Sequence, residues 1–289
     1  MSVKKAVIPV AGFATRFLPA CKSIPKCMLT IVDKPIIQYL VDEAVESGIE
    51  EILLIVGRKK EIIKDYFSED KELEDFLMER GKESFIPQIK NLSGKAKITF
   101  MEQDGGAKGL GHAIYQAKDF VGNEPFAIMY GDVIMQGKKP CLKEIIEKHE
   151  ELGSSIIGVE EVEWKDVPKY GNVSGEKVGD RLYKVEKMQE KPKVEETKSN
   201  LAISDRHVLM PDLFKFLETT KPGKGGEIQV TDAYNSMVST KEGVYAYKYE
   251  STRFDSGDKL GFVKAAIDET LRRPEMRDDL VKFIKSLNI

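Results

Sequence analysis

Histidine and cysteine are scarce, with three of each in 289 residues. His112, His149 and His207 are too few for a histidine-based metal cluster. Cys21, Cys27 and Cys141 are odd in number and form no CxxC, which argues against a disulfide framework and a zinc site. No apolar run approaches the roughly 20 residues that cross a bilayer. No basic stretch followed by an apolar one opens the chain, so a cytoplasmic location and no membrane partner are expected. An excess of one charge is also missing: 45 Lys and Arg face 48 Asp and Glu, a net −3. Bulk electrostatics therefore give no case for nucleic acid or an anionic surface, and an anionic substrate would have to be held by local charge.

What is present supports a full core, since 41% of the residues are hydrophobic. Strand-like runs alternate with amphipathic stretches. Lys5 to Val10 is followed by a helix near Pro35 to Ser47, a strand over Glu51 to Val56, and helical segments from Lys59 to Arg80. A strand at Ile98 to Met101, a helix from Leu110 to Lys118 and a buried-type strand at Pro125 to Tyr130 continue the pattern. Such alternation predicts an α/β protein with a Rossmann-like, mainly parallel (mixed) sheet flanked by helices, and ligands at the carboxyl ends of its strands. The stretch from Ser154 to Leu209 is strand-rich and reads as a portion closing one side of the site. A helix near Asp212 to Thr219, a Gly-rich loop at Gly223 to Gly226 and a last strand over Gly243 to Tyr249 follow. Helices near Lys259 to Arg272 and Arg277 to Leu287 are separated by a break at Pro274.

Chemistry concentrates in four places. The first strand runs into Ala11-Gly12-Phe13-Ala14-Thr15-Arg16, and Lys26 follows ten residues later. Exposed amides, a glycine that can take angles closed to other residues, and two cations suit a phosphate. Neither GxxxxGK[ST] nor GxGxxG is matched, because Ala14 fills the second glycine position, and an NAD-dependent dehydrogenase is disfavoured accordingly. Next, Gln103-Asp-Gly-Gly-Ala-Lys-Gly109-Leu-Gly111-His112-Ala113 is a second Gly-rich loop that opens a helix. Third, Asp132 stands at the end of a parallel strand, where sites on such sheets form, although it could simply cap the next turn. Last, Arg253-Phe-Asp255-Ser-Gly257-Asp258 offers another acid, with Asp258 placed to N-cap the helix that follows. No HxxE and no Ser/His/Asp arrangement of a hydrolase occurs, and His112 reads as a capping or structural residue. Cys21 and Cys27 lie near cations that can activate a thiol.

The opening loop resembles the GxGTRx₂PxTx₄Kx₃P signature of the sugar-nucleotide pyrophosphorylases. Lys22-Ser-Ile-Pro-Lys26 and the matches beyond it resemble the bacterial UTP–glucose-1-phosphate uridylyltransferases. The resemblance runs from Lys4 to about Pro274. It implies the nucleotide-diphospho-sugar transferase (glycosyltransferase A-like) fold, with a single catalytic domain over 1–274 and a C-terminal helix over 275–289. It further implies that Ala11, Gly12, Thr15, Gln103 and Gly109 bind the nucleotide, with Gln103 and Gly109 reading the uracil edge. Arg16, Lys26, Asp132 and Lys191 become the catalytic set, and Asp132 with Asp255 the Mg²⁺ pair. Gln189-Glu190-Lys191-Pro192-Lys193 resembles VEKPK, and Ser199 to Arg206 resembles SNLAIxxR. Gly171, Glu190, Lys191, Asn200 and Arg206 are thereby placed on the sugar phosphate. Tyr170-Gly171 and Gly226-Glu227-Ile-Gln-Val-Thr-Asp232, similar to GGEIQLTD, complete the sugar-side set.

The implied partners are UTP and glucose 1-phosphate, giving UDP-glucose and pyrophosphate in a homo-oligomer (dimer or tetramer), with no covalent intermediate. Four positions depart from the signature: Ala14 for Gly, Cys21 for Thr, Cys27 for Glu and Thr30 for Pro. Lys108 replaces a Leu in the base loop. Ala14 is expected to be tolerated only at negative φ. These changes leave open a sibling transferase using dTTP or another nucleotide, and a catalytically weak paralogue that binds nucleotide sugar as a regulator.

Overall fold

The computed structural model of the chain describes residues 2–104, 108–223 and 226–287. Parts of two predicted Gly-rich loops, at 105–107 and 224–225, lie outside the described residues. The strands are β1 (Lys5–Pro9), β2 (Thr30–Ile31), β3 (Lys34–Pro35), β4 (Glu51–Val56), β5 (Lys97–Glu102), β6 (Phe126–Met129), β7 (Val133–Gln136), β8 (Ser155–Glu161), β9 (Gly171–Gly179), β10 (Leu182–Glu190), β11 (Leu201–Leu209), β12 (Val244–Lys248) and β13 (Thr252–Asp255). The helices are α1 (Ile36–Glu46), α2 (Lys60–Phe67), α3 (Lys71–Glu79), α4 (Leu110–Gln116), α5 (Lys118–Val121), α6 (Cys141–Leu152), α7 (Leu213–Thr219), α8 (Val230–Met237), α9 (Lys259–Arg272) and α10 (Pro274–Ser286).

Nine strands form one mixed sheet in the order β5-β4-β1-β6-β11-β8-β12-β10-β9. The half from β5 to β6 is parallel throughout. Beyond β6 the pairing turns mostly antiparallel, with β12 and β8 the parallel exception. Helices cover both faces. Ala6, Ile8, Ile52 and Leu54 point to the layer of α1 and α6, whereas Val7, Leu53 and Ile55 point to the layer of α4, α7 and α8. A strand buried on both faces has no polar side to show, hence the unbroken apolar run of β4. Four parallel strands place the loops after β1, β4, β5 and β6 along one edge, where the predicted phosphate loop, Gln103 and Asp132 all fall.

Elements beyond the sequence reading include α6, α8, β7, β9, β13 and the two-residue strands β2 and β3. Helix α6 carries a signal, since Leu142, Ile145, Ile146 and His149 are buried at helical spacing. Strand β9, GNVSGEKVG, carries little, because glycines and charges disfavour strands and its register comes from pairing with β10. Pro274 begins α10 rather than merely interrupting a helix, as the first helical position needs no amide donor.

Candidate active site

A cleft of about 440 Å³ opens at this edge, lined by Ala11, Gly12, Lys26, Gln103, Gly109 and Asp132 among others. Its floor is the end of β1 and the turn after β6. The loop after β1 coils into short 3₁₀ turns, Thr15–Phe17, Ala20–Lys22 and Lys26–Met28. The expected backbone reverses here. Gly12 has no left-handed φ, and a Cβ added to it would meet nothing within 4 Å. Ala14 takes φ 52°, ψ 41°, the left-handed region that costs a residue with a Cβ roughly 1–2 kcal/mol. The expectation of negative φ at Ala14 is therefore corrected, and the strain falls on the position where the signature has glycine. Thr15 and Arg16 sit on the exposed turn outside the cleft lining. Arg16 lies close enough to Asp258 to help hold its carboxyl below the usual range, although the amides of Gly261 and Leu260 do most of that work. Asp258 caps α9 by accepting from Leu260 and Gly261, both at 3.0 Å.

The base loop is held by backbone. The Ile228 amide donates to the Lys108 carbonyl at 2.9 Å, and the Gly111 amide donates to the Ile228 carbonyl at 3.0 Å. Gly109 has φ +94°, and a Cβ there would stand 2.8 Å from Glu227 Cβ and 2.9 Å from the Ile228 carbonyl oxygen. No other residue fits. The segment after Gly226, predicted as sugar-side, divides between two places: Glu227 lines the cleft, and Thr231 reaches Glu190. Lys108 is exposed, and burial, with Lys108 adding to it, pushes the His112 pKa down.

Lys26, Asp132 and Asp255 converge. Lys26 Nζ pairs with Asp132 Oδ2. A Cβ built on Gly257 would lie 2.7 Å from Asp132 Oδ2, 2.8 Å from Asp255 Oδ1 and 2.8 Å from Lys26 Nζ. Both carboxylates and the amine thus ring one small space that only glycine leaves open. The Gly257 amide donates to Asp255 Oδ1 at 2.8 Å, fixing that carboxylate. Antiparallel pairing of β7 with β13 sets Val133 opposite Asp255 and brings the two acids together across 123 residues of chain. Burial disfavours the thiolates nearby: it pushes Cys27 up to about 12, with its own backbone and Lys26 opposing, and it raises Cys21 against the pull of Lys26.

On the antiparallel half, Glu190 Oε2 accepts from Thr231 Oγ1 at 2.8 Å, and Lys191 Nζ lies 3.1 Å from Glu190 Oε1. Gly171 faces the same carboxylate, its would-be Cβ 3.4 Å from Glu190 Oε2. Asn200 donates to the Val162 carbonyl at 2.9 Å, tying down its amide nitrogen. Arg206 is corrected outright. It is 0% exposed and bonds Glu43 through Nε (3.0 Å) and Nη2 (2.7 Å), with further bonds to the carbonyls of Val133 and Asp205. A guanidinium so enclosed reaches no sugar phosphate. The sequence reading placed Thr231 only as part of the sugar-side run and gave no role to Glu43 or Asp205, which no local pattern marks, since each acts through a partner distant in the chain.

The family model described as nucleotidyl transferase matches residues 5–270. UTP–glucose-1-phosphate uridylyltransferase 1 of Staphylococcus saprophyticus is 46% identical over 288 residues, with all of both chains covered. The uridylyltransferase of Staphylococcus epidermidis is 48% identical over 287 residues, covering 99% of each chain. Among solved structures, a UDP-glucose pyrophosphorylase complexed with UDP-glucose superposes with TM-score 0.84 at 38% identity, covering 94% of this chain and 100% of the other. A UTP-bound UGPase from Acinetobacter baumannii gives TM-score 0.89 at 36% identity and 99% of each chain.

Proposed function

Because the chain belongs to the nucleotidyl transferase family, we infer that it transfers uridylyl from UTP to glucose 1-phosphate, giving UDP-glucose and pyrophosphate. The observation that carries this reading is the convergence of Lys26, Asp132 and Asp255 around Gly257, at the mouth of a glycine-bounded cleft. A phosphate oxygen of glucose 1-phosphate attacks the α-phosphorus of UTP. The bond from that phosphorus to the oxygen bridging the β-phosphate breaks, and the electron pair leaves with pyrophosphate. The attacking oxygen is already ionised, so no protein base is required. The protein's work is positioning and charge stabilisation.

The donor set fits Mg²⁺. Two hard carboxylates face one space, and no group of three or more His, Cys, Asp or Glu that could hold a metal occurs among the described residues. That suits an ion which keeps several waters and takes phosphate oxygens. Bound by Asp132 and Asp255, Mg²⁺ would offset charge on the transferring phosphoryl group. Lys26 faces the transferring or leaving group, Arg16 the triphosphate, and Lys191 the sugar phosphate. Glu190, held by Thr231, accepts from sugar hydroxyls beside Gly171, with Asn200 near them. Ala11, Gly12 and Thr15 supply the backbone around the triphosphate, and Gln103 with Gly109 reads the base. A cytoplasmic homo-oligomer goes with this reading. Among the described residues no helix is long and apolar enough to cross a membrane. The exposed stripe of Leu260, Val263 and Ile267 on α9 supports a contact between copies.

Pyrophosphate release with Mg²⁺, glucose 1-phosphate and each of UTP, dTTP, ATP, CTP and GTP tests the assignment, with Asp132→Ala as control. Turnover with UTP alone, lost in the control, supports it. Equal turnover with dTTP names a sibling transferase, and no turnover with any nucleotide points to a regulatory paralogue.

A further inference from the structure

A largely buried charge network lies behind the two carboxylates, and none of its members lines the cleft. Asp205 and Arg206 are adjacent on β11, 7% and 0% exposed. The Asp205 carbonyl accepts from the Tyr130 amide at 3.0 Å. Arg206 Nη2 donates to the Val133 carbonyl at 2.9 Å. These two bonds grip the chain on either side of Gly131-Asp132. The Asp205 carboxylate in turn accepts from Arg253 Nε, two residues before Asp255 on β13, and Glu160 stands 3.4 Å from the same nitrogen. Glu43 completes the frame by taking Arg206 and accepting from the Leu142 amide at the start of α6 at 2.9 Å.

The register of β11 against β8 shifts between Ile203 and His207, at this dipeptide. An irregularity of that kind re-aims side chains beside a site. Here it lets neighbouring residues serve opposite ends of one task. Asp205 reaches sideways to β13, Arg206 reaches to α1 and the β6–β7 turn, and a regular strand would send them to opposite faces of the sheet.

We propose that the Asp205–Arg253 pair and the Arg206–Val133 bond are positioning elements that set the separation of the Asp132 and Asp255 carboxylates, and so tune divalent-metal affinity. This rests on the reading of those two acids as the metal pair. Groups that orient ligating carboxylates typically change metal affinity 10–100-fold when removed. A buried ion pair is seldom a net source of stability, so positioning accounts for charges that the cleft never touches.

The test is Mn²⁺ binding to the full chain with UTP present, read by electron paramagnetic resonance, alongside thermal melting. Asp205→Asn keeps the shape of the side chain and removes its charge. It is expected to raise the Mn²⁺ concentration for half-saturation about 10-fold, with UTP affinity in the absence of metal unchanged. Arg253→Ala is expected to weaken Mn²⁺ binding to a similar extent and serves if Asp205→Asn fails to fold, and Arg253→Lys, which keeps a cation for Asp205, should recover much of the Arg253→Ala loss. Wild-type Mn²⁺ affinity in a folded Asp205→Asn or Arg253→Ala protein overturns the proposal. Asp132→Ala and Asp255→Ala are the separate control: if neither weakens Mn²⁺ binding, the metal reading itself falls.

Discussion

The two halves of the site are built on opposite terms. The parallel half, to which the proposed reading assigns the nucleotide, consists of turns and glycines, with Arg16 exposed and Lys26 paired to Asp132. Among the described residues Arg16 makes no ion pair within 4 Å. The antiparallel half, to which the proposed reading assigns the sugar, consists of side chains already held: Glu190 by Thr231 and Lys191, Asn200 by the Val162 carbonyl, Arg206 by Glu43. A triphosphate brings enough charge to organise mobile cations around itself. A sugar brings only hydroxyls, which reward groups held in place beforehand. The lesson is that one sheet can serve both substrates because its pairing changes from parallel to antiparallel at β11.

If the antiparallel half depends on prior pairing, breaking a buried pair should unfold more than it inactivates. Arg206→Met leaves the buried Glu43 without its cation, with only the Leu142 amide to bond it, and is expected to lower stability by about 3–5 kcal/mol in urea denaturation. A loss under about 1 kcal/mol would mean that Glu43 finds water instead. Kinetics should separate the halves next. Lys26→Ala is expected to lower kcat about 10²-fold, a loss of charge stabilisation. Glu190→Gln should instead raise KM for glucose 1-phosphate about 10-fold, the scale of one hydrogen bond to a charged group, with KM for UTP unchanged. Equal effects on both substrates would erase the distinction.

Acid should also reach the sugar half first. His207 is fully buried between Tyr130 and Tyr234, at ring distances of 5.3 and 5.5 Å, and no hydrogen bond of standard geometry reaches either ring nitrogen. Burial, with Arg206 beside it, pushes its pKa from 6.5 down to about 3. The unfolded chain therefore binds the proton first. Stability is whole above pH 6.5 and falls as pH drops toward 3, with a slope of up to about 1.4 kcal/mol per pH unit. His207→Phe should flatten that slope in denaturation measured from pH 7 to 5, and an unchanged slope would assign it to other groups. The smallest effect belongs to the nucleotide half. Ala14→Gly relieves a left-handed alanine and should raise stability by up to about 1 kcal/mol, less the added freedom of the unfolded chain. A lower melting temperature would show that the loop depends on that Cβ.

Legibility follows the same division. The parallel half was plain in the sequence because strand, turn and functional residue are contiguous there: Ala11 to Lys26, Gln103 to Gly109, and Tyr130 to Asp132 each fall within one short run. The sugar half was legible only through resemblance, and the resemblance misplaced Arg206. The motif that holds Arg206 says nothing about Glu43, 163 residues away, which claims its guanidinium. Asp258 could be read as a cap because capping is local, whereas the meeting of Asp132 with Asp255 depends on the β7–β13 pairing, and neither strand announces itself. Ala14 shows a further limit. The loop imposes a left-handed turn at that position, and the residue type alone argued the other way.

The most direct measurement runs the reaction backward. Purified protein, UDP-glucose, Mg²⁺ and ³²P-labelled pyrophosphate are incubated, and the products are separated. Uridylyl transfer by attack at the α-phosphorus predicts label in the β and γ positions of UTP, none in glucose 1-phosphate, and exchange lost in Asp132→Ala and Asp255→Ala. Label in glucose 1-phosphate, or exchange undiminished in both variants, would contradict it.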